Sequence, residues 1–390
     1  MFISRVKLTN WKNFTDIDIT LAERIFIVGP NASGKSNLLD VFRFLRDIAR
    51  DGGGLQEAVR QRGGLSKIRC LSARAPRTDV EIEIDINESP EEEPLWKYQI
   101  GLTQKGGGAV SETRAIIRFE KVWKGPELII DRPKEDDKSD EELLQYTHLE
   151  QPTANSKFRE LADFFKSIDY QHIIPQIIRN PVSFQKTGNT EEFFGRDLFE
   201  KMSKMPKNTR ESQLKKIEAA LKSAMPNLKN LTLEKDKMGM PHLQAIYEHW
   251  RPHGAKQNEE QFSDGTLRLI GLFYSMLNGS YPLLLEEPEL SLHSGVVQKL
   301  AEIIHFMQKR KSGKRQVILS THSYDLLNNT GINPEEIIIL KPVSEGTDAK
   351  NVNEIDEVKK LLETGLSPAE AVLPFTEAPN ISQLILPFQD

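Results

Sequence analysis

Cysteine is almost missing from this 390-residue chain: Cys70 stands alone. One thiol cannot close an internal disulfide or build an all-cysteine zinc site, and a reducing cytoplasm is the expected compartment. Long apolar runs are missing too. None approaches the roughly eighteen residues that a membrane-spanning helix needs. The opening Met1-Phe2-Ile3-Ser4-Arg5 meets charge too soon for the apolar centre of a signal peptide. There is no internal repeat and no heptad run long enough for an extended coiled coil. Charge of one sign is scarce, with a formal net charge of −5. That speaks against coating nucleic acid through bulk charge and leaves room for a local basic patch. What remains, 38% hydrophobic and 28% charged residues, is the composition of an ordinary globular protein with chain enough for two or three lobes.

Periodicity gives the layout. Residues 2–20 read as a hairpin around the turn Trp11-Lys12-Asn13-Phe14, with Ile17 and Ile19 alternating against Asp16, Asp18 and Thr20. Arg24 to Val28 is a short apolar run, the mark of a buried strand, and Asn37 to Ala49 carries helical spacing. From Asp79 to Ile130 the period is two, broken by joins at Asn87-Glu88-Ser89-Pro90 and Gly106-Gly107-Gly108, which predicts an antiparallel sheet. The charged stretch Asp131–Glu142 reads as a solvated loop. Residues 155–225 read as helices interrupted near Pro175 and Pro181, and an alternating pair flanks Gly239. Beyond it, Leu283–Leu285, Val296–Gln308, Gln316–Leu319 and Glu336–Leu340 alternate strand and helix, which implies a parallel sheet.

Between the first buried strand and its helix lies Gly29-Pro30-Asn31-Ala32-Ser33-Gly34-Lys35-Ser36, which fits the P-loop pattern at every fixed position. Backbone N–H groups of Asn31, Ala32, Ser33, Gly34 and Asn37 are placed to converge on phosphate oxygens at a helix N-terminus. Lys35 is expected to reach the β- and γ-phosphates and the Ser36 hydroxyl to ligate Mg²⁺, so ATP and Mg²⁺ are the expected cofactors. The second half narrows the class. Leu283-Leu284-Leu285-Glu286-Glu287 is an apolar strand ending in two carboxylates, suited to holding a metal (Glu286) and accepting a proton from attacking water (Glu287). Ser320-Thr321-His322-Ser323 puts His322 at another strand's C-terminal edge, where ligands of open α/β sheets bind. Phe262-Ser263-Asp264-Gly265-Thr266 opens an apolar helix, and an ordinary N-cap explains it as well as a second anion site does.

In this order, the P-loop, Ser-Asp-Gly, Glu-Glu and Ser-Thr-His segments resemble the ABC-type ATPases of the SMC, RecF and OLD group. The chain is most similar to stand-alone OLD-like bacterial ATPases, which share phrases like Phe262-Ser263-Asp264-Gly265-Thr266-Leu267-Arg268, Glu286-Glu287-Pro288-Glu289 and Ala371-Val372-Leu373-Pro374. The likeness covers roughly residues 1–50 and 260–375, and the middle only by layout. It implies an α/β fold: an ABC-type ATPase head with a mixed, largely parallel core sheet, an antiparallel β-subdomain and a helical lobe. The expected division is an N-terminal ATPase lobe over 1–150, a helical insertion over 151–260 and a C-terminal ATPase lobe over 261–390. By the same resemblance Ser263 and Gly265 match the signature that meets the γ-phosphate held by a second subunit, and Pro288–His293 the loop crossing the dimer interface. His322 matches the switch histidine, and Lys12 and Asn13 lie where relatives contact the α-phosphate and ribose. The glutamine expected near the metal is Gln176 or Gln185, with Gln176 preferred; His172 and Arg179, near Pro175, suit the nucleotide-sensing interface or, in preference, a structural role. Two departures stand out: Glu286 occupies a position where many members have Asp, and the signature reads Ser-Asp-Gly rather than Ser-Gly-Gly.

The resemblance implies a homodimer with ATP between two chains, hydrolysing ATP to ADP and phosphate, with no membrane partner. The 225 residues between Ser36 and Phe262 hold a sheet and a compact helical lobe rather than an SMC tether. The 68 residues after His322 lack the strand-organised acidic cluster of an appended nuclease. A nuclease or toxin supplied in trans, in bacterial antiphage defence, is therefore one expectation, and a RecF-like double-stranded DNA-binding ATPase of repair is the other. The segment Arg43–Arg77, nine Lys or Arg against three Asp or Glu, suits either a DNA backbone or a solvated surface.

Overall fold

Four apolar runs, one inconspicuous tripeptide and a polar edge strand build the central sheet. In the computed structural model, which describes residues 1–74, 78–105, 114–180, 194–248, 254–309 and 315–376, its spatial order is Gly346–Asn351, Ile337–Val343, Arg24–Val28, Val317–Ser320, Leu283–Glu286 and Asp169–Gln171. All neighbours are parallel except the edge hairpin 337–351. The runs read as continuously apolar because both faces are covered. Successive side chains still alternate between two cores. Ile25, Ile27, Leu284, Ile318 and Ile338 enter one; Phe26, Val28, Leu283, Leu285, Leu319 and Ile339 enter the other. Each such burial contributes about 1.5–3 kcal/mol, so the alignment of these strands is strongly held.

Register decides where the site lies. Ile27 is opposite Ser320, Ser320 is opposite Glu286, and Leu285 is opposite Gln171. The P-loop, the Ser-Thr-His segment, the Glu-Glu pair and the residue after Gln171 therefore leave the sheet along one C-terminal edge.

The opening hairpin forms as its alternation predicts, with Trp11 opposite Phe14, and then extends further than expected. Phe2–Trp11 also pairs with Val80–Asn87, giving one antiparallel sheet ordered Phe14–Thr20, Phe2–Trp11, Val80–Asn87, Trp96–Lys105, Arg114–Lys124 and Glu127–Arg132. Its apolar face shares a core with the helices Lys35–Ala49 and Arg159–Lys166. Trp11 is fully buried there, tilted against Phe44 at 5.2 Å, with its indole N–H on the Asn37 carbonyl at 2.9 Å. A third core joins the helices Leu198–Lys204 and Lys207–Leu221 and the hairpin Leu228–Lys235/Pro241–Tyr247 to the helix Asp264–Leu277. That hairpin turns at Gly239, as read from the sequence.

Two expectations are corrected. Asp131–Glu142 is solvated at most positions but is not all loop: it contains the helix Glu135–Ser139, and Arg132 and Asp137 are buried together at 2.6 Å. The buried guanidinium needs carboxylate partners, and Asp137 also caps the backbone N–H of Lys134 at 2.8 Å. Within 155–225, Asp169–Gln171 is a core strand rather than helix, and Pro175 starts a helix instead of breaking one. The Gly106-Gly107-Gly108 join, Pro181, Gln185, Arg77 and the tail after Thr376 lie outside the described residues.

Candidate nucleotide-binding site

The P-loop turns at Ala32, whose φ of 63° is left-handed, and enters its helix through Gly34 at φ 97°. A Cβ on Gly34 would stand 2.1 Å from the Asn13 amide, so close passage of the hairpin demands glycine there. Asn13 braces the loop: its Nδ2 donates to the Ser33 carbonyl at 2.9 Å and to Thr347 Oγ1 at 2.8 Å, and its Oδ1 accepts from Asn37 at 2.7 Å. Asn31 and Ala32 form the exposed rim. Ser33 is buried, its hydroxyl without a hydrogen-bond partner among the described residues. The Lys35 ammonium folds back onto the carbonyls of Gly29 at 2.9 Å and Pro30 at 3.1 Å. Burial lowers its pKa to about 8, against the pull of Glu287, Glu289 and Glu286.

Opposite the loop, the Ser36 hydroxyl donates to Oε1 of Glu286, the Tyr170 hydroxyl donates to Oε2, and His172 Nδ1 stands 3.4 Å from Oε2. Burial pushes the Glu286 carboxyl up. The Arg43 guanidinium lies 4.5 Å from the Tyr170 ring centre. Glu287 adopts φ 43°, and its Oε1 is 3.0 Å from Nε2 of His322, whose other ring nitrogen is 3.4 Å from the Lys35 ammonium. The hydrogen bond with His322 holds the Glu287 carboxyl below its ordinary value, so it is ionised at neutral pH. Glu289 sets the histidine's backbone: it accepts from Thr321 Oγ1 at 2.5 Å and from the His322 N–H at 3.2 Å. A cleft of about 770 Å³ opens beside these groups, lined by Lys12, Asn13, Ser36, Asn37, Arg62 and Glu286 among others. Lys12 crosses its wall to Asp40 at 2.6 Å. The oxygen donors that meet at Ser36 and Glu286 are of the type Mg²⁺ takes.

The Ser-Asp-Gly turn is built separately. Ser263 caps the helix Asp264–Leu277, its hydroxyl accepting from the Thr266 N–H at 3.2 Å. A Cβ on Gly265 would approach the Ser291 carbonyl to 2.8 Å, so this turn packs directly on the Pro288–His293 loop. Asp264 is held by Arg179 at 2.5 Å and by Gln176 Nε2 at 3.0 Å. The structure thus brings Gln176 to the Ser-Asp-Gly turn, and brings His172, rather than Gln176, beside Glu286. Tyr170 is a site member that sequence reasoning passed over, and His172, for which a structural role was preferred to one at the nucleotide-sensing interface, stands at the site. Tyr170 lies in a strand of three residues with no readable period, and His172 follows it directly.

Part of the basic segment behind the cleft is paired, with Asp40 and Asp47 each shared by two or more arginines. Arg62 pairs with Asp40 at 2.8 Å and Asp47 at 3.0 Å, Arg60 with Glu57 at 2.6 Å, Arg46 with Asp47 at 3.2 Å, and Arg43 with Asp40 at 3.5 Å. Lys67 and Arg69 line the cleft.

Comparison with known proteins gives three findings. The family model described as "AAA domain, putative AbiEii toxin, Type IV TA system" matches residues 24–328. Two curated proteins named "DNA replication and repair protein RecF" are similar over part of the chain: 28% identical over 118 residues in Lactobacillus johnsonii and 30% over 127 residues in Agrobacterium fabrum. Those segments span 30% and 32% of this chain and 31% and 30% of the relatives, so under a third of each relative is matched. Among solved structures, an SMC head bound to the C-terminal winged-helix domain of ScpA aligns with TM-score 0.54 at 16% identity, over 91% of this chain and 99% of that one. An SMC head with an extended coiled coil, bound to the C-terminal domain of ScpA, from Pyrococcus furiosus, aligns with TM-score 0.50 at 14% identity, over 93% and 99%. The fold is that of an SMC-head-like ABC ATPase, with a mixed, mainly parallel core sheet and separate antiparallel sheets.

Proposed function

The chain belongs to the family of AAA domains described as putative AbiEii toxin, type IV TA system, and from that premise we propose that it is an ATP-driven switch: it binds ATP with Mg²⁺, pairs with a second copy, and separates on hydrolysis. The observation that supports this most is the meeting of four distant segments at one sheet edge, with Ser36 on Glu286 and His322 between Glu287 and Lys35.

Ser36 and Glu286 would hold Mg²⁺, which supplies charge neutralisation on the β- and γ-phosphates. The P-loop N–H groups and Lys35 bind those phosphates, and Asn13 keeps the loop in the binding shape. Glu287 takes a proton from the water that attacks the γ-phosphorus as the bond to the bridging oxygen breaks and ADP leaves. His322, released from Glu287 when phosphate enters, senses the γ-phosphate. Ser263 and Gly265 make their contacts with Thr266 and the Ser291 region of their own chain, which leaves them to face nucleotide held by a second copy. The three lobes 1–150, 151–260 and 261–390 then act as nucleotide clamp, insertion and switch. The output is regulation of a nuclease or toxin partner in antiphage defence, a reading supported by the family's association with toxin–antitoxin systems and by the internal pairing of Arg43, Arg46, Arg60 and Arg62.

The test is Glu287→Gln. ATP turnover is expected to fall by roughly 10²–10⁴, the scale of a general base, while light scattering shows a dimer persisting with ATP and Mg²⁺. Unchanged turnover sinks the assignment. A second reading, a RecF-like DNA-binding ATPase of repair, is favoured by the partial likeness to two RecF proteins and would use Lys67 and Arg69. Salt-titrated double-stranded DNA binding that is tight only with ATP would support it over the first.

A further inference from the structure

The sequence offered an amide, Gln176, for the side of the cation site away from the P-loop. The structure places an imidazole there. We propose that His172 is a nitrogen ligand of the divalent cation bound with the nucleotide, and that it shifts the site from Mg²⁺ toward a divalent transition metal such as Mn²⁺. The inference deepens the ATP-binding reading and rests on it.

The backbone makes the placement. Asp169–Gln171 runs parallel to Leu283–Glu286 with Gln171 opposite Leu285, so the next residue, His172, flanks Glu286 at the sheet edge. The side chains agree. His172 Nδ1 is 3.4 Å from Glu286 Oε2, beyond the usual 2.7–3.2 Å of an N–H···O hydrogen bond. Neighbouring donors on an octahedral cation with bonds of about 2.1 Å stand about 3.0 Å apart, so a small closing movement lets both atoms share one ion. The carboxylate is already oriented by Ser36 on one oxygen and Tyr170 on the other. The Tyr170 ring is held under the Arg43 guanidinium, the outer support that metal ligands commonly have. On the other side, the Phe194 ring meets His172 edge-on at 5.9 Å and limits its rotation. Gln176 is occupied elsewhere, on Asp264. Among the described residues, two oxygen donors and one imidazole make a mixed set. Mg²⁺ accepts oxygen and water almost exclusively, whereas first-row transition ions gain from imidazole.

The experiment uses the full-length protein with ¹⁵N only in its histidines, Mn²⁺ as the probe and the non-hydrolysable analogue AMP-PCP, read by pulsed electron paramagnetic resonance. The expected result is a ¹⁵N coupling of directly bound imidazole in the ternary complex, lost in His172→Gln and kept in His322→Gln. Mn²⁺ affinity in the presence of AMP-PCP is expected to fall roughly tenfold in His172→Gln, with Mg²⁺ affinity almost unchanged. If Mn²⁺ and AMP-PCP bind to the wild-type protein without any ¹⁵N coupling, His172 is no ligand and the ATPase reading stands. A coupling that persists in His172→Gln and disappears in His322→Gln overturns the assignment in favour of the other histidine. If neither ion supports AMP-PCP binding, the ATPase reading itself fails.

Discussion

Two regions of this molecule gather charged groups away from water, and they do it in opposite ways. In the antiparallel sheet, Arg132 is gripped by Glu120 at 3.0 Å and Asp137 at 2.6 Å and also donates to the carbonyls of Tyr146 and Leu143. Glu120 accepts in addition from the Tyr98 hydroxyl and from the N–H groups of His148 and Leu149. Arg132 and Glu120 are 2% and 0% exposed, so little capacity is left over for a ligand. At the edge of the core sheet the account is left open. Among the described residues, Lys35 has only two backbone carbonyls and a histidine as neighbours within hydrogen-bond reach, Glu286 holds hydroxyls from Ser36 and Tyr170, and a cleft lies beside them. Burial with full pairing marks structure, and burial with spare valence marks a site.

The comparison breaks if each region can be swapped for the other's behaviour. Arg132→Leu should be the costliest change, about 3–5 kcal/mol in urea unfolding, because it strands two buried carboxylates. Replacing Arg132, Glu120 and Asp137 together with apolar residues of similar size should recover only part of that loss, because the Tyr98 hydroxyl and the N–H groups of His148 and Leu149 lose their acceptor. A mild effect of the single change would show that water reaches Glu120. Lys35→Ala should do the reverse. The folded protein holds the Lys35 proton less tightly than the unfolded chain does, so at neutral pH this charge costs stability. Thermal unfolding of Lys35→Ala should occur at an unchanged or higher temperature, while ATP affinity drops roughly 100-fold, within the range of a lost charge-assisted contact. Calorimetric titration with ATP checks the second half. A strongly destabilised variant that still bound ATP would reverse the roles assigned to the two regions.

What could be read from the sequence follows the same division. The P-loop, the Glu-Glu pair and Ser-Thr-His were legible because each hangs on the end of a single apolar strand, so a short local pattern carries the whole signal. Tyr170 was not, and His172 read first as structural. The three-residue strand that carries Tyr170 and ends just before His172 is defined by pairing with Leu283–Leu285, more than a hundred positions away, and nothing local distinguishes it from the helices around it. Asp131–Glu142 is solvated at most positions, as a run of charges should be; Arg132 and Asp137 are the exceptions, because Arg132 is also paired with Glu120, outside the run. The basic segment Arg43–Arg77 held its nine cations in plain view, but Asp40 and Asp47, which pair with Arg43 and Arg62, lie on the helix Lys35–Ala49, one turn from Arg43 and beyond a second helix from Arg62. Composition counts charges; it does not say which are already spent.

The smallest expected effect sharpens the comparison most, because it separates the closed cluster's own two titrations. Burial, and then the nearby Arg132 charge, lower the His148 pKa to about 4, so the folded protein keeps this ring neutral where the unfolded chain would charge it. Its contribution to stability is therefore fully present above about pH 6.5 and is lost as pH falls toward about 4. Glu120 works against this: burial raises its pKa, so on acidification it takes a proton in the folded state first and returns some stability. His148→Gln removes only the first of these. Between pH 7 and pH 5 the variant's unfolding midpoint should fall less than that of the unaltered protein, while ATP binding stays the same. Equal slopes would mean that a charged His148 finds a partner inside the cluster, and the cluster would then have the spare valence that the comparison reserves for the site.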